Sequence, residues 1–267
     1  MIRDITIGQY YPADSLLHRL DPRAKFVGTL IYIASLFIFN SWIGYLIAGL
    51  FLAVLVWISR VPFKFMIKGL KPIMVLMCIT MIFNIIFTPG KVLWQFWIIK
   101  ITLEGLLLAA RMGVRLVLLI IGASLMTLTT TPNQLTDGLE RLMSPLNKIH
   151  VPVHEISMMM SIALRFIPIL TEETDKIMKA QIARGADFET GNLITKAKNM
   201  VPLLVPLFVS AIRRANDLAM AMEARCYHGG DGRTQMKPLR YGKKDAAAYL
   251  ALFVYLGLSV SMRALGW

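Results

Sequence analysis

Apolar positions in this chain run on instead of alternating with polar ones. Residues 26–59, 72–88, 105–128 and 246–262 are almost unbroken hydrophobic stretches, of the order of the ~20 residues a helix needs to cross a bilayer's hydrocarbon core. The first run divides at Asn40-Ser41 into 26–39 and 43–58, which predicts a tight helical hairpin. Asp21-Pro22 marks its start, with Asp as the N-cap and Pro at the first helical position, where a missing N–H costs nothing. Pro72 to Thr88 predicts a third span, closed by Pro89-Gly90. Leu103 to Thr129 predicts a fourth, longer than crossing requires and therefore tilted or protruding, and Ala246 to Met262 a fifth. Between the second and third, Lys64, Lys68 and Lys71 share a helical face opposite Phe63, Met66, Ile67 and Leu70. That pattern fits an interfacial amphipathic turn and a plain polar loop equally well.

The long segment before the last span reads differently. Its longest apolar stretch, 201–212, is too short to cross and contains Pro202 and Pro206, so the segment is expected outside the bilayer core. Glu155 to Arg184 has helical periodicity: Ile162, Phe166, Ile169, Ile177 and Ala180 trace an apolar side, while Glu172 with Lys176 and Asp175 with Lys179 pair one turn apart. Asn192 to Arg225 repeats that design, decorated by Arg213, Arg214 and Asp217. Pro168 predicts a kink in the first helix, and Pro202 and Pro206 a bend or interruption in the second. The expected fold is all-α, a polytopic membrane protein with about five transmembrane helices. Its regions are 1–130 (four spans), 131–242 (a cytoplasmic helical domain) and 243–267 (the last span).

Composition agrees and charge gives direction. The chain is 56% hydrophobic and 17% charged, with 29 Lys plus Arg against 16 Asp plus Glu. The first 25 residues hold four basic side chains and the 60–71 loop another four, whereas the Asn40-Ser41 turn has none. Short loops decide topology under the positive-inside rule. The N-terminus and the 131–242 domain are therefore expected in the cytoplasm and the C-terminus outside, in a cell membrane crossed several times. The basic excess then faces acidic headgroups of the lipid bilayer and cytoplasmic proteins. Nucleic acid is not expected as a partner, because aromatics do not interleave with the basic patches. The first 25 residues contain no apolar signal-peptide core.

Several side chains invite a chemical reading. Glu104, Arg111 and Arg115 lie on one face of the fourth span, opposite Gly105, Ala109 and Gly113, whose small-xxx-small spacing favours close helix packing. The arginines suit a partner contact or, more simply, a structural pair of Glu104 with Arg111 near an interface. His150 and His154 have i, i+4 spacing, but Pro152 between them prevents a continuous helix, so no metal site is expected. Cys78 and Cys226 have no second thiol nearby. No phosphate-cradling G-x-x-x-x-G-K-[ST] occurs, so no nucleotide is expected on this chain in that way. A membrane enzyme or a stand-alone secondary transporter is the alternative reading, but the first needs a catalytic cluster that is not visible, and the second needs repeated halves with interrupted midplane helices. Met158, Met159 and Met160 read as adaptable apolar surface or as core filling.

One short repeat stands out: Ala180-Gln-Ile-Ala183-Arg184-Gly185 and Ala221-Met-Glu-Ala224-Arg225-Cys226, 41 positions apart. Each ends a long helix as Ala-Arg followed by a small residue. Arginine complements a helix C-terminal dipole and Gly185 suits a left-handed cap. Two copies suggest a pair of tips whose guanidinium groups fork onto carboxylates or carbonyls of a docking groove.

These motifs, with Asp14-Ser-Leu-Leu-His-Arg-Leu-Asp-Pro-Arg-Ala-Lys25, Leu164-Arg-Phe-Ile-Pro168 and Met222-Glu-Ala-Arg-Cys-Tyr227, resemble the transmembrane T component of energy-coupling factor transporters, the family that includes the cobalt-transport Q protein. Cys226 departs from the pattern, since glycine is common there, so the second cap is expected to differ in geometry. The resemblance implies a non-catalytic coupling subunit of an ABC-type importer for a vitamin or other micronutrient, transition metals included. Two cytoplasmic ATPase subunits, which use ATP and Mg, would each receive one motif (Ala183-Arg184-Gly185 or Ala224-Arg225-Cys226). A membrane S component would capture substrate and contact Met158 to Met160. Pro168, Pro202 and Pro206 would act as helix pivots, and this chain would bind no cofactor itself.

Overall fold

The computed structural model describes residues 10–38, 41–96, 99–188, 192–230, 236 and 238–264. Asn40, half of the predicted hairpin break, and the first nine residues lie outside them. The described residues are predominantly helical, as predicted: α1 Pro22–Ile38, α2 Trp42–Ser59, α3 Phe63–Phe87, α4 Leu103–Thr129, α5 Pro132–Met143, a 3-10 turn Ser144–Ile149, α6 Val153–Ala183, α7 Leu193–Ala224 and α8 Lys243–Ala264. Two compact units emerge, residues 8–138 with 239–267 and residues 139–238.

Among the described residues, five helices are long and apolar enough to cross a membrane: Trp42–Ser59, Gly69–Phe87, Leu103–Thr129, Val153–Ala183 and Lys243–Met262. Four are predicted spans. The predicted first span is the 17-residue α1, whereas α6, expected outside the bilayer core, reaches the same length and apolarity. A further expectation changes. The basic stretch 61–71 is not a separate turn or loop but the first part of α3, which continues through Pro72 to Phe87. Between the third and fourth predicted spans lies an antiparallel ribbon of β1 Val92–Phe96 and β2 Ile99–Thr102, whose register slips between Val92 and Trp94.

Lipid is as apolar as leucine, so transmembrane helices gain little from hiding apolar surface and associate through close packing and buried polar contacts. Both are present in the unit that holds α1 to α4 and α8. Gly105, Ala109 and Gly113 of α4 are buried as the small-residue face predicts. A Cβ at Gly105 would lie 3.0 Å from the carbonyl oxygens of Asn84 and Ile85 on α3, and one at Gly122 only 2.7 Å from the Tyr32 ring on α1. Tyr32, Leu36, Tyr45, Ala48, Leu52 and Leu125 form the core of α1, α2 and α4. The Tyr255 hydroxyl of α8 joins it, 2.7 Å from Ser35 Oγ.

One end of this bundle is tied by charge. Asp21 caps α1 as predicted, its Oδ1 accepting the Arg23 N–H at 2.8 Å, while its own N–H donates to Asp245 Oδ1 of α8 at 2.8 Å. Lys25 Nζ donates to the carbonyls of Thr129 (2.8 Å) and His18 (3.2 Å), satisfying the last turn of α4 with a cation where the helix dipole favours one. In the preceding loop, His18 lies between Ser15 Oγ (2.7 Å) and the Tyr11 carbonyl (3.1 Å). Burial pushes its imidazole below the ordinary value, against the Tyr11 hydrogen bond, which raises it.

The close approaches give a graded test. Gly105→Ala and Gly122→Ala should each lower stability by ~1–3 kcal/mol in thermal unfolding of detergent-solubilised protein, because the new methyl meets backbone or an aromatic ring. Gly28→Ala, whose Cβ would meet nothing within 4 Å, should be neutral or slightly stabilising. For His18 the folded state has the lower pKa, so stability is full above the ordinary imidazole value of ~6.5 and is lost as pH falls through it. The thermal midpoint should fall between about pH 7.5 and about 5.5, and His18→Asn should reduce that fall.

Candidate functional site

The two Ala-Arg-small motifs end two long helices. Four carbonyls at a helix C-terminus have no intrahelical donor and must be met otherwise. In α6 the chain turns at Arg184 (φ −90°, ψ 6°), whose N–H donates to the Gln181 carbonyl at 3.0 Å. Gly185 adopts φ +89° and donates to Ile182 at 2.9 Å, and Ala186 donates back to Gln181 at 2.9 Å. In α7 Arg225 (φ −93°, ψ 12°) donates to Met222 at 3.1 Å, Cys226 to Glu223 at 2.8 Å and Tyr227 back to Met222 at 3.1 Å. The same closing turn thus occurs twice, shifted by the 41-residue offset. The second cap was expected to differ because it lacks glycine. It does not: Cys226 takes φ +56°, a left-handed conformation that costs a residue with a Cβ roughly 1–2 kcal/mol.

Ala183, Arg184, Gly185, Ala224, Arg225 and Cys226 are all exposed. Neither guanidinium has a hydrogen-bond or ion-pair partner among the described residues. The helices that carry them are antiparallel. Asn199 Nδ2 donates to the Asp187 carbonyl at 2.7 Å, Gln181 Nε2 to the Pro202 carbonyl at 3.4 Å, and Ser210 and Arg214 meet Glu173. At the far end Met158 and Arg225 line one cleft of ≈410 Å³ with Met222, Cys226, Tyr227, His228 and Gly229. Arg184 and Arg225 therefore occupy opposite ends of a hairpin whose first helix alone has 31 residues, a rod about 46 Å long.

Pro168 lies inside an unbroken α6, and Pro202 and Pro206 inside an unbroken α7, so the predicted interruption does not occur. Pro206 deprives the carbonyl four residues earlier of its helical donor, and that carbonyl, Pro202 O, is the one that accepts from Gln181 Nε2. The proline pair is accommodated by a side chain of the neighbouring helix.

Around the Arg225 end the hairpin is anchored. His154 Nδ1 lies 3.0 Å from Glu140 Oε1, and Ser157 Oγ donates to Glu140 Oε2 at 3.0 Å. A Cβ at Gly230 would lie 2.5 Å from His154 Cδ2, so the segment after α7 passes directly over this imidazole. His150 closes the preceding 3-10 turn at φ 60°, and the two histidines do not share a helix. Among the described residues no group of three His, Cys, Asp or Glu side chains could hold a metal ion.

Of the predicted apolar contacts, Met159 is 58% and Met160 41% exposed, while Met158 turns into the cleft beside Arg225. A broader apolar surface lies on α7. Leu204, Val205, Phe208 and Val209 are all more than half exposed and, with Leu170, Leu207 and Ala211, line an apolar hollow of ≈560 Å³. The 201–212 stretch, judged by length alone, had carried that signal. In α4, Arg115 is held by the Tyr45 hydroxyl at 2.6 Å and 3.0 Å, and Glu104 accepts the Lys91 N–H at 2.6 Å. These side chains stabilise the bundle interior and the mouth of the α3–α4 connection.

A family model described as cobalt transport protein (CbiQ) matches residues 13–236 of this chain. An energy-coupling factor transporter transmembrane protein of Clostridium kluyveri is 57% identical over 267 residues, 98% of each chain. Its counterparts in Ruminiclostridium cellulolyticum and Bacillus subtilis are 56% identical over 92% of each chain and 47% identical over 99% of this chain and 100% of theirs. The chain belongs to this family of energy-coupling factor transporter transmembrane proteins. It is therefore a membrane-embedded transport component, and all the residues described in α6 and α7 up to Met236 lie within the matched family region.

The strained cap is testable in isolation. Cys226→Gly should stabilise the end of α7 by ~1 kcal/mol, read as slower amide exchange at Cys226 and Tyr227. Gly185→Val should destabilise the end of α6 by a similar amount.

Proposed function

We propose that this subunit couples two cytoplasmic ABC-type ATPase subunits to a membrane S component that binds the substrate, a vitamin or other micronutrient, transition metals included. The observation that carries this reading is the pair of matching helix ends, each presenting an exposed arginine, at opposite ends of one antiparallel hairpin. An exposed arginine is a planar donor fork for carboxylates and carbonyls, and two such ends far apart suit two separate grooves. Arg184 enters one ATPase and Arg225 the other, with Ala183, Gly185, Ala224 and Cys226 small enough to admit close approach. ATP and Mg act on those partners, and this chain performs no chemistry. Met158 to Met160 and the hollow around Phe208 supply the apolar surface for the S component, since a continuous exposed apolar patch marks a contact site. Pro168, Pro202 and Pro206, each lacking a backbone donor, are the pivots. Four basic residues at 60–71, around the start of α3, against none at 40–41 support a cytoplasmic N-terminus and hairpin, with the C-terminus outside a cell membrane.

Arg184→Ala or Arg225→Ala should leave membrane insertion intact and weaken ATPase retention on an affinity column. With both changed, ATP-dependent uptake into liposomes reconstituted with all subunits should fall at least ~10-fold, as expected when charge-assisted contacts are lost at two sites. Unchanged uptake by the double variant would overturn the docking role.

A further inference from the structure

The inward stripe of α6 runs Ile162, Phe166, Ile169, Glu173, Ile177, and that of α7 runs Leu203, Leu207, Ser210, Arg214, Leu218, all of them half-buried or buried. Both are spaced by three and four, as for helices packed along a seam. Both are apolar except in the middle, where three polar side chains meet. Glu173 Oε1 accepts from Ser210 Oγ at 2.6 Å, and Oε2 accepts from Arg214 Nη2 at 2.6 Å and Nε at 3.1 Å.

We propose that Glu173, Ser210 and Arg214 are a register pin that fixes how far α6 is slid along α7, and with it the separation of the Arg184 and Arg225 tips. An apolar seam tolerates a slip of one turn, because leucine and isoleucine repack against one another with little loss. The carboxylate–guanidinium contact resists it: the Glu173 and Arg214 side chains are 23% and 40% exposed, and a slip of one turn, about 5.4 Å, would part them and forfeit their charge-assisted hydrogen bonds. A single polar position in a helical seam sets register in this way, at some cost in stability. The pin also sits between the proline positions, beyond Pro168 on α6 and beyond Pro206 on α7, so bending on either side leaves the crossing fixed. The proposal rests on the coupling reading above for its functional consequence, but the register claim does not.

The test replaces both charges together, Glu173→Leu with Arg214→Leu, so that neither is left unpaired and the hairpin stays folded. Spin labels at Lys179→Cys and Ala221→Cys, in a background of Cys78→Ser and Cys226→Gly, report the distance between the helices in the reconstituted complex by electron–electron dipolar spectroscopy. The unsubstituted pin should give one narrow distance, and the double leucine variant a broadened or split one. Without the labels, that variant should retain its ATPases while substrate imported per ATP hydrolysed falls about fivefold or more. The exchange Glu173→Arg with Arg214→Glu should restore the narrow distance. A distance distribution and import ratio unchanged in the double leucine variant would overturn the pin, as would failure of the exchange to restore order. If the unsubstituted subunit retains no ATPases, the coupling reading fails, and the distances alone then decide the pin.

Discussion

Everything distinctive about α6 and α7 depends on how a helix disposes of its last carbonyls. A turn with one left-handed residue brings two backbone N–H groups back onto them, and the residue just before that turn is carried out of the helical path with its side chain uncommitted. In both helices that residue is arginine. The backbone closure is complete without it, and among the described residues the guanidinium carries no hydrogen bond or ion pair at either end. A β-branched residue in the place of Gly185 or Cys226 would strain the left-handed turn.

The membrane unit obeys a different constraint. With no water to escape from, its helices are held by approach and by polar contacts that lipid cannot satisfy. Gly105 against the α3 backbone and Gly122 against Tyr32 set the spacing. Lys25 at the end of α4, Asp21 against Asp245, and Arg115 on Tyr45 fix the rotation of the helices about one another. Charges that look costly in a hydropathy profile are the joints of this bundle.

The elements and the tips could be read from residues because each has a local cause. The Asp21 cap, the buried face of Gly105, Ala109 and Gly113, and the ends of α6 and α7 follow from side-chain size, spacing and capping within one segment. What escaped reading depends on a second segment. Pro72, Pro202 and Pro206 predict breaks when each helix is taken alone, yet α7 runs on because Gln181 of α6 meets the carbonyl that Pro206 orphans. Glu173 was passed over as Glu172 and Asp175 found their lysines one turn away. Its position in the gap between Ile169 and Ile177, where the apolar stripe asks for a hydrophobe, was the available sign. Arg214 looked like surface decoration until Glu173 faced it. The left-handed turn at Cys226 is a different case, since its hydrogen bonds to Met222 and Glu223 are local and a cysteine adopts the conformation that local preference gives to glycine.

The antiparallel course of the hairpin has a mechanical corollary. A seesaw cannot lower both seats by tipping. If the pair rocks about its crossing, the Arg184 end descends as the Arg225 end rises, so the two sockets would be driven in antiphase. Drawing both ends the same way demands flexure of the beam, and flexure concentrates where the backbone ladder already has missing rungs, at the prolines on either side of the crossing.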